Sequence, residues 1–173
     1  MEEFFHGTAL SIFNCGVIIS GESGMGKSEL ALELISRGHQ LIADDMVCLT
    51  KVKNQVIMSN FTDKFFIHIR GMGFIDIVQT FGLNSAISSQ QLTLIIQLSN
   101  TNILTINPLT VLRNTTSILD SSIITYELPI GRQLSLPVLV EVMIKQHLNT
   151  NKAHQAFIDQ HDSSLMEHKL LCN

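Results

Sequence analysis

The sequence predicts a single α/β domain in which a short buried strand feeds a glycine-rich loop and then an amphipathic helix. Three observations carry this. Val17-Ile18-Ile19 is a short apolar run, and Gly21-Glu22-Ser23-Gly24-Met25-Gly26-Lys27-Ser28 follows it at once. Leu30, Ala31, Leu34 and Ile35 then recur at helical spacing. Leu92 to Leu98 is a nearly unbroken apolar run, the pattern of a central strand buried on both faces.

The elements can be placed in order from these anchors. Thr8 to Phe13 and Cys15 to Ser20 read as two strands broken at Asn14. The helix after the loop runs from about Gly26 to Arg37, with Gly38 as its cap and Arg37 complementing the helix dipole. Gln40 to Ala43 is the next strand, and it delivers Asp44 and Asp45 at its end. Met46 to Val52 and Gln55 to Ser59 form a hairpin about Lys53-Asn54. Phe65 to Arg70 reads as a strand, followed by irregular backbone at Gly71 and Gly73. Asn100 to Ser122, rich in Asn, Thr and Ser, reads as a long surface loop of the kind that often serves as a lid, with one helical piece near Leu109 to Leu112. Ile123 to Leu128 is a late strand. Pro137 opens a helix through about His147, and a second helical segment starts at Ala153.

Composition narrows the function classes. The chain has 173 residues, 45% of them hydrophobic and 15% charged, so it can bury a core and is not of the disordered type. A net charge of -4 argues against nucleic acid as a partner. No apolar run approaches a membrane span, and the start, Met1-Glu2-Glu3-Phe4, lacks a basic signal-peptide region. Cys15, Cys48 and Cys172 have no metal-type spacing and read as free thiols, so the expectation is a cytoplasmic protein.

The loop has the G-x-x-x-x-G-K-[ST] form of a P-loop. Its glycines let backbone N–H groups turn toward phosphate oxygens. Lys27 adds a positive charge near the terminal phosphates, and the Ser28 hydroxyl can ligate Mg²⁺. Leu41-Ile42-Ala43-Asp44-Asp45 then has the form of a Walker B strand. Adjacent residues of an extended chain point in opposite directions, so one carboxylate can face a metal while the other faces an acceptor. His147, His154, His161 and His168 recur every seven residues. On one helix neighbours would stand about 10 Å apart, too far to share one metal ion, so the expectation is a coincidence on a solvated or intersubunit face.

Together these residues resemble the catalytic domain of bacterial HPr kinase/phosphorylase. The resemblance rests on His6-Gly7, on the P-loop through Glu29, on Arg37-Gly38-His39-Gln40-Leu41-Ile42-Ala43-Asp44-Asp45, and on Ile69-Arg70-Gly71-Met72-Gly73-Phe74-Ile75. It is dense from His6 to about Phe81 and returns at Glu127-Leu128-Pro129-Ile130-Gly131-Arg132-Gln133. It implies a P-loop kinase fold with a mixed sheet, similar to phosphoenolpyruvate carboxykinase. It implies one catalytic domain over residues 1–173, without the N-terminal domain that the usual member carries. The implied reaction is phosphorylation of a serine on the phosphocarrier HPr, with ATP or pyrophosphate as donor and Mg²⁺. Phosphorolysis of the seryl-phosphate is its reverse. The family's usual hexamer implies a homo-oligomer.

By motif position, the resemblance makes Asp45 the base, Lys27 the holder of the transferring phosphoryl group and His6 the active-site histidine. Ser28 and Asp44 are the implied metal residues. Gly21 to Ser28 would bind nucleotide, and Arg70, Gly71, Gly73, Gly131 and Arg132 mark the signature and acceptor region. The chain departs from the family at three places. His68 stands where the family has a metal-binding glutamate. An arginine expected near Asn107-Pro108 is missing, Arg113 being the one nearby. The segment tied to the reverse reaction is shortened to Pro129-Ile130-Gly131-Arg132. Two other readings stay open: a nucleotide-binding regulatory protein without transfer chemistry, and a kinase for a small-molecule acceptor.

Overall fold

The computed structural model describes residues 2–100, 113–131 and 135–150. Eleven strands and three helices are present among them: β1 (Glu2–His6), β2 (Thr8–Ile12), β3 (Cys15–Ser20), α1 (Lys27–Ser36), β4 (Gln40–Ala43), β5 (Met46–Val52) and β6 (Gln55–Asn60). Then come β7 (Phe66–Ile69), β8 (Gly73–Asp76), α2 (Ile77–Phe81), a short 3-10 turn at Leu83–Ser85, β9 (Ser89–Ser99), β10 (Arg113–Ile118), β11 (Ser121–Pro129) and α3 (136–150).

β9 organises the main sheet because three strands pair with it. β3 runs parallel to it along one edge, with Val17 opposite Leu94 and Ile19 opposite Ile96. The other edge is shared. β6 pairs antiparallel with Ser89 to Gln91, and β11 pairs parallel with Leu94 to Ser99. β2 and β4 extend the β3 side, and β5 and β1 extend the β6 side. The sheet is therefore mixed, as the family resemblance implies, and both its faces are covered. Val17, Ile19, Leu94 and Ile96 face α1, α3 and β7, while Ile18 and Ile95 face Val47, Leu49 and Met58 of the β5–β6 hairpin. Leu92 lies on the same face as Ile95, although regular alternation would place it with Leu94. The register shifts between Gly16 and Val17, which leaves Thr93 as an extra residue and reverses the faces.

At that shift the two backbones approach closely. A β-carbon at Gly16 would lie 2.0 Å from the Gln91 carbonyl oxygen, a main-chain atom that cannot turn aside. Gly16→Ala is therefore expected to force the central strands apart. A loss of roughly 1–3 kcal/mol or more follows from overpacking, and a urea unfolding midpoint would measure it.

α1 forms where the apolar stripe predicts it, burying Leu30, Ala31, Leu34 and Ile35. It ends with paired reverse bonds, from the Gly38 N–H to the Ile35 carbonyl and from the His39 N–H to the Leu34 carbonyl. Arg37 does more than complement the dipole. Its guanidinium crosses to Glu141 on α3, at 2.6 and 2.8 Å.

Several expectations need correction. Arg113 to Ile118, read as part of a loop, is a strand. Among the described residues it is an edge strand paired with β11 alone, and its side chains are largely exposed, which is why its composition is polar. The backbone after Arg70 is a tight hairpin joining β7 to β8, not irregular chain. A further strand, β1, precedes the first one read from the sequence, and His6 closes it, paired with Met46. His147 is not on a solvated face. It is buried on α3, with its Nδ1 3.2 Å from the Tyr126 hydroxyl. Burial pushes its pKa down, and the nearby Arg113 charge adds to this. His154, His161, His168, Cys172, the helical piece at 109–112 and the segment from Ala153 lie outside the described residues. Cys15 and Cys48 are buried free thiols. Among the described residues, no helix is long and apolar enough to cross a membrane.

Candidate active site

Four stretches of chain meet at one end of the sheet. β3 ends at Ser20, and the P-loop turns from it into α1 with Gly24 at φ 84 and Gly26 at φ 80. Those left-handed conformations, disfavoured for residues with a β-carbon, let the loop curl back over the start of α1. Lys27 is 7% exposed, and its Nζ donates to the Gly21 and Glu22 carbonyls at 2.9 and 3.0 Å. The ammonium is thus held at the mouth of the loop, beside the positive end of α1.

β4 supplies the two aspartates, and they separate as expected. Asp44 turns inward. It accepts from the Thr8 hydroxyl at 2.7 Å, from the Ser28 hydroxyl at 3.2 and 3.3 Å, and from the His68 N–H at 3.4 Å. Burial pushes its pKa up. The hydrogen bonds from Thr8 and Ser28 oppose this, and the charge on Asp45 reinforces it. Asp45 turns the other way, at φ 63, and lines an open cleft. Its carbonyl accepts from the Gly7 N–H at 3.1 Å and from His6 Nδ1 at 2.9 Å. A carbonyl can only accept, so Nδ1 carries the proton and Nε2 is the acceptor of the neutral ring.

β7 contributes the last pair by alternation. Ile67 and Ile69 are buried in the core beneath α1, which puts His68 and Arg70 on the opposite side, facing the cleft. The His68 ring lies 4.9 Å from that of Phe74, its cross-strand partner. The cleft is about 280 Å³ and brings together His6, Lys27, Ser28, Asp45, His68 and Arg70. Ser23, Gly24 and Gly26 line it as well.

Other predicted site residues fall elsewhere. Gly71 and Gly73, at φ 86 and 83, form the turn between β7 and β8. Gly21, Glu22 and Met25 border a neighbouring cavity of about 590 Å³ walled by Phe5, Ile95 and Leu98. That cavity is larger, but among the described residues its only titratable lining group is Glu22, whereas the smaller cleft gathers several. Gly131 follows β11, and Arg132 lies outside the described residues. Arg113 opens β10 opposite Tyr126 and does not reach the cleft.

Sequence reasoning missed Thr8. It is fully buried in an apolar strand, and a buried hydroxyl needs a partner. That requirement was the available signal. Glu29, which lines the cleft from the first turn of α1, was also missed.

The donor set suits a hard divalent cation. Ser28 and Asp44 present oxygen atoms side by side, and Asp44 carries a charge that its burial disfavours and a cation would relieve. Among the described residues, no three His, Cys, Asp or Glu side chains are grouped to hold a metal. The His68 contact with Asp44 is through its main chain. Water and phosphate oxygens would complete the coordination of an ion held by Ser28 and Asp44.

One titration follows from the α1–α3 contact. The Arg37 hydrogen bonds, helped by one from His39, lower the Glu141 pKa from 4.5 to about 2. A depressed carboxylate stabilises the fold above its unfolded pKa and loses that contribution as pH falls through the folded one. The stability difference between the wild type and Glu141→Gln should therefore be full above about pH 5 and shrink toward pH 2. Urea midpoints across that range would measure it, and a difference that does not vary with pH would contradict the ion pair.

Comparison with known proteins identifies the family and the fold. The family model for the HPr Serine kinase C-terminal domain matches residues 1–163. An HPr kinase/phosphorylase of Neisseria meningitidis is 36% identical over 172 residues, covering 95% of this chain and 54% of that protein. One from Treponema pallidum is 36% identical over 140 residues, covering 79% of this chain and 44% of that protein. The chain thus spans about half the length of these curated relatives. The solved structure of the Hpr(Ser) kinase/phosphatase from Coxiella burnetii superposes with a TM-score of 0.82 at 34% identity, covering 89% of this chain and 95% of that one. With this fold, this loop and this extent of match, the chain belongs to the HPr serine kinase C-terminal domain family and has its P-loop kinase fold.

Proposed function

We propose that the chain is the catalytic module of a protein-serine kinase, transferring the γ-phosphoryl group of ATP to a serine hydroxyl of HPr. The observation that carries this is the convergence of Asp45, Lys27 and Ser28 on one cleft, with Asp44 directly behind Ser28. The relatives' names supply the acceptor.

Phosphoryl transfer asks a protein for positioning and charge neutralisation rather than covalent chemistry. Asp45 takes the serine proton as the hydroxyl oxygen bonds to phosphorus and ADP leaves. Lys27 and the loop N–H groups hold the phosphoryl oxygens. Arg70, on the far wall, adds a second positive charge. His6 holds the Asp45 main chain and offers Nε2 as an acceptor. Mg²⁺, held by Ser28 and Asp44, would supply charge neutralisation at the phosphates. In phosphorolysis the same Asp45 would return the proton to the serine oxygen as inorganic phosphate attacks the seryl-phosphate. The departures at His68 and after Pro129 bear hardest on that direction.

The free thiols Cys15 and Cys48 suit a reducing compartment such as the cytoplasm, where HPr would be met. A homo-oligomer, as in the family's hexamer, belongs to the same reading, and sedimentation would test it. The deciding experiment is the intact mass of HPr after incubation with the protein and Mg-ATP. One added phosphate is expected. Unmodified HPr in the presence of bound nucleotide would instead favour a nucleotide-binding regulator, and a labelled small molecule would favour a metabolite kinase.

A further inference from the structure

The Arg37-Gly38-His39 stretch does not line the cleft, yet it carries a three-residue polar contact that ties α1 and the start of β4 to α3. Arg37 and His39 both bind Glu141 of α3. Arg37 Nε and an η nitrogen donate to its two carboxylate oxygens at 2.8 and 2.6 Å, and His39 Nε2 lies 3.0 Å from one of them. His39 is 6% exposed, and its ring packs edge-on against Phe13 with centroids 4.8 Å apart. Lys145, one helical turn beyond Glu141, lies over the other side of this corner, its Nζ 4.5 Å from the Phe13 ring centre.

These residues mark the far ends of the elements that build the site. Phe13 is in the β2–β3 turn, Arg37 ends α1, and His39 precedes β4. At their other ends β2 supplies Thr8, β3 leads into the P-loop, α1 begins with Lys27 and Ser28, and β4 delivers Asp44 and Asp45. α1 is a rigid rod about 15 Å long, so a shift at Arg37 moves Ser28. β4 is only four residues long, so a shift at His39 moves Asp44.

We propose that Glu141 is a positioning residue for phosphoryl transfer. Through Arg37 and His39 it fixes the offset between α1 and β4, and so the spacing of Ser28 and Asp44. This rests on the kinase reading above and adds to it a remote helix on which the metal-binding pair depends.

The test compares Glu141→Gln with Tyr126→Phe. The latter removes a hydrogen bond that ties the same helix to β11 rather than to Arg37 and His39. Near-UV circular dichroism and melting curves establish that both variants are folded at the assay temperature. Mn²⁺ affinity with ADP present is then read by electron paramagnetic resonance, alongside kcat and KM for HPr phosphorylation. Glu141→Gln is expected to weaken Mn²⁺ binding and lower kcat, each by about tenfold, with KM for HPr within about twofold. Glu141→Asp should recover part of both losses. Tyr126→Phe should lower the melting temperature and leave both quantities unchanged. Loss of melting temperature alone in Glu141→Gln, or equal losses of Mn²⁺ affinity in the two variants, would overturn the proposal. If the wild type fails to phosphorylate HPr, the kinase reading falls, and the Mn²⁺ titration still decides the role of Glu141.

Discussion

An Asp45→Asn variant is expected to phosphorylate HPr about 10²–10⁴-fold more slowly, the usual worth of a positioned general base, while binding nucleotide as before. The structure makes this substitution unusually clean. Asp45 sits at φ 63, where most side chains are strained, and asparagine is among the few residues that tolerate that region. The groups that hold it in place, the Gly7 N–H and His6 Nδ1, bind its main-chain carbonyl, which the substitution leaves intact. The capacity to take a proton is lost, together with the negative charge that raises the Asp44 pKa. Asp44, a residue away, cannot take over, because it is turned inward onto Thr8 and Ser28. A time course of HPr intact mass would show the slowed transfer, and a fluorescent nucleotide titration would show retained binding. A variant that phosphorylates at the wild-type rate would remove Asp45 from the role of base.

Lys27→Met should cost about 10²–10³-fold in rate, the scale for losing one charged donor at a developing negative charge, and should weaken nucleotide binding as well. Methionine keeps an unbranched apolar chain in the channel that the lysine occupies. The ammonium does two things here. It faces the phosphate cleft, and it ties down the Gly21 and Glu22 carbonyls. Its loss therefore also leaves two carbonyls in need of donors, at roughly 1–3 kcal/mol for each that stays dry. The two variants should thus differ in kind. Asp45→Asn lowers the rate alone, whereas Lys27→Met lowers rate, affinity and melting temperature together. If Lys27→Met bound nucleotide and melted like the wild type, the loop would not depend on that ammonium for its shape.

The parts of this protein that can be read from sequence are those whose physics is local. The P-loop, the start of α1 and the run ending in Asp44-Asp45 are fixed within a few residues by glycine conformations, helical periodicity and an apolar strand. What stays hidden depends on partners distant in the chain. β1 is Glu-Glu-Phe-Phe-His, with no alternation to betray it, and it is a strand because β5 lies beside it. β10 is polar for the same reason, as an edge strand with exposed side chains. In the site, Asp44 and Ser28 were legible from their motifs. Thr8 was not, because its bond to Asp44 joins strands that the sequence does not pair. Arg37 read as a helix-end charge until α3 supplied Glu141.

The shared edge of β9 has a consequence for how the chain acquires its fold. One strand must receive β3 from early in the sequence, β6 from the middle and β11 from later, and none of these pairings is a short hairpin. Each requires closure of a large loop before any contact compensates for it. Assembly around β9 is therefore the slow event. Until it is complete, the apolar run from Leu92 to Leu98 has both edges open to pairing with another chain. Nascent molecules are at most risk of association during that interval. Once the strand is enclosed, its amides should be among the last in the protein to exchange with solvent.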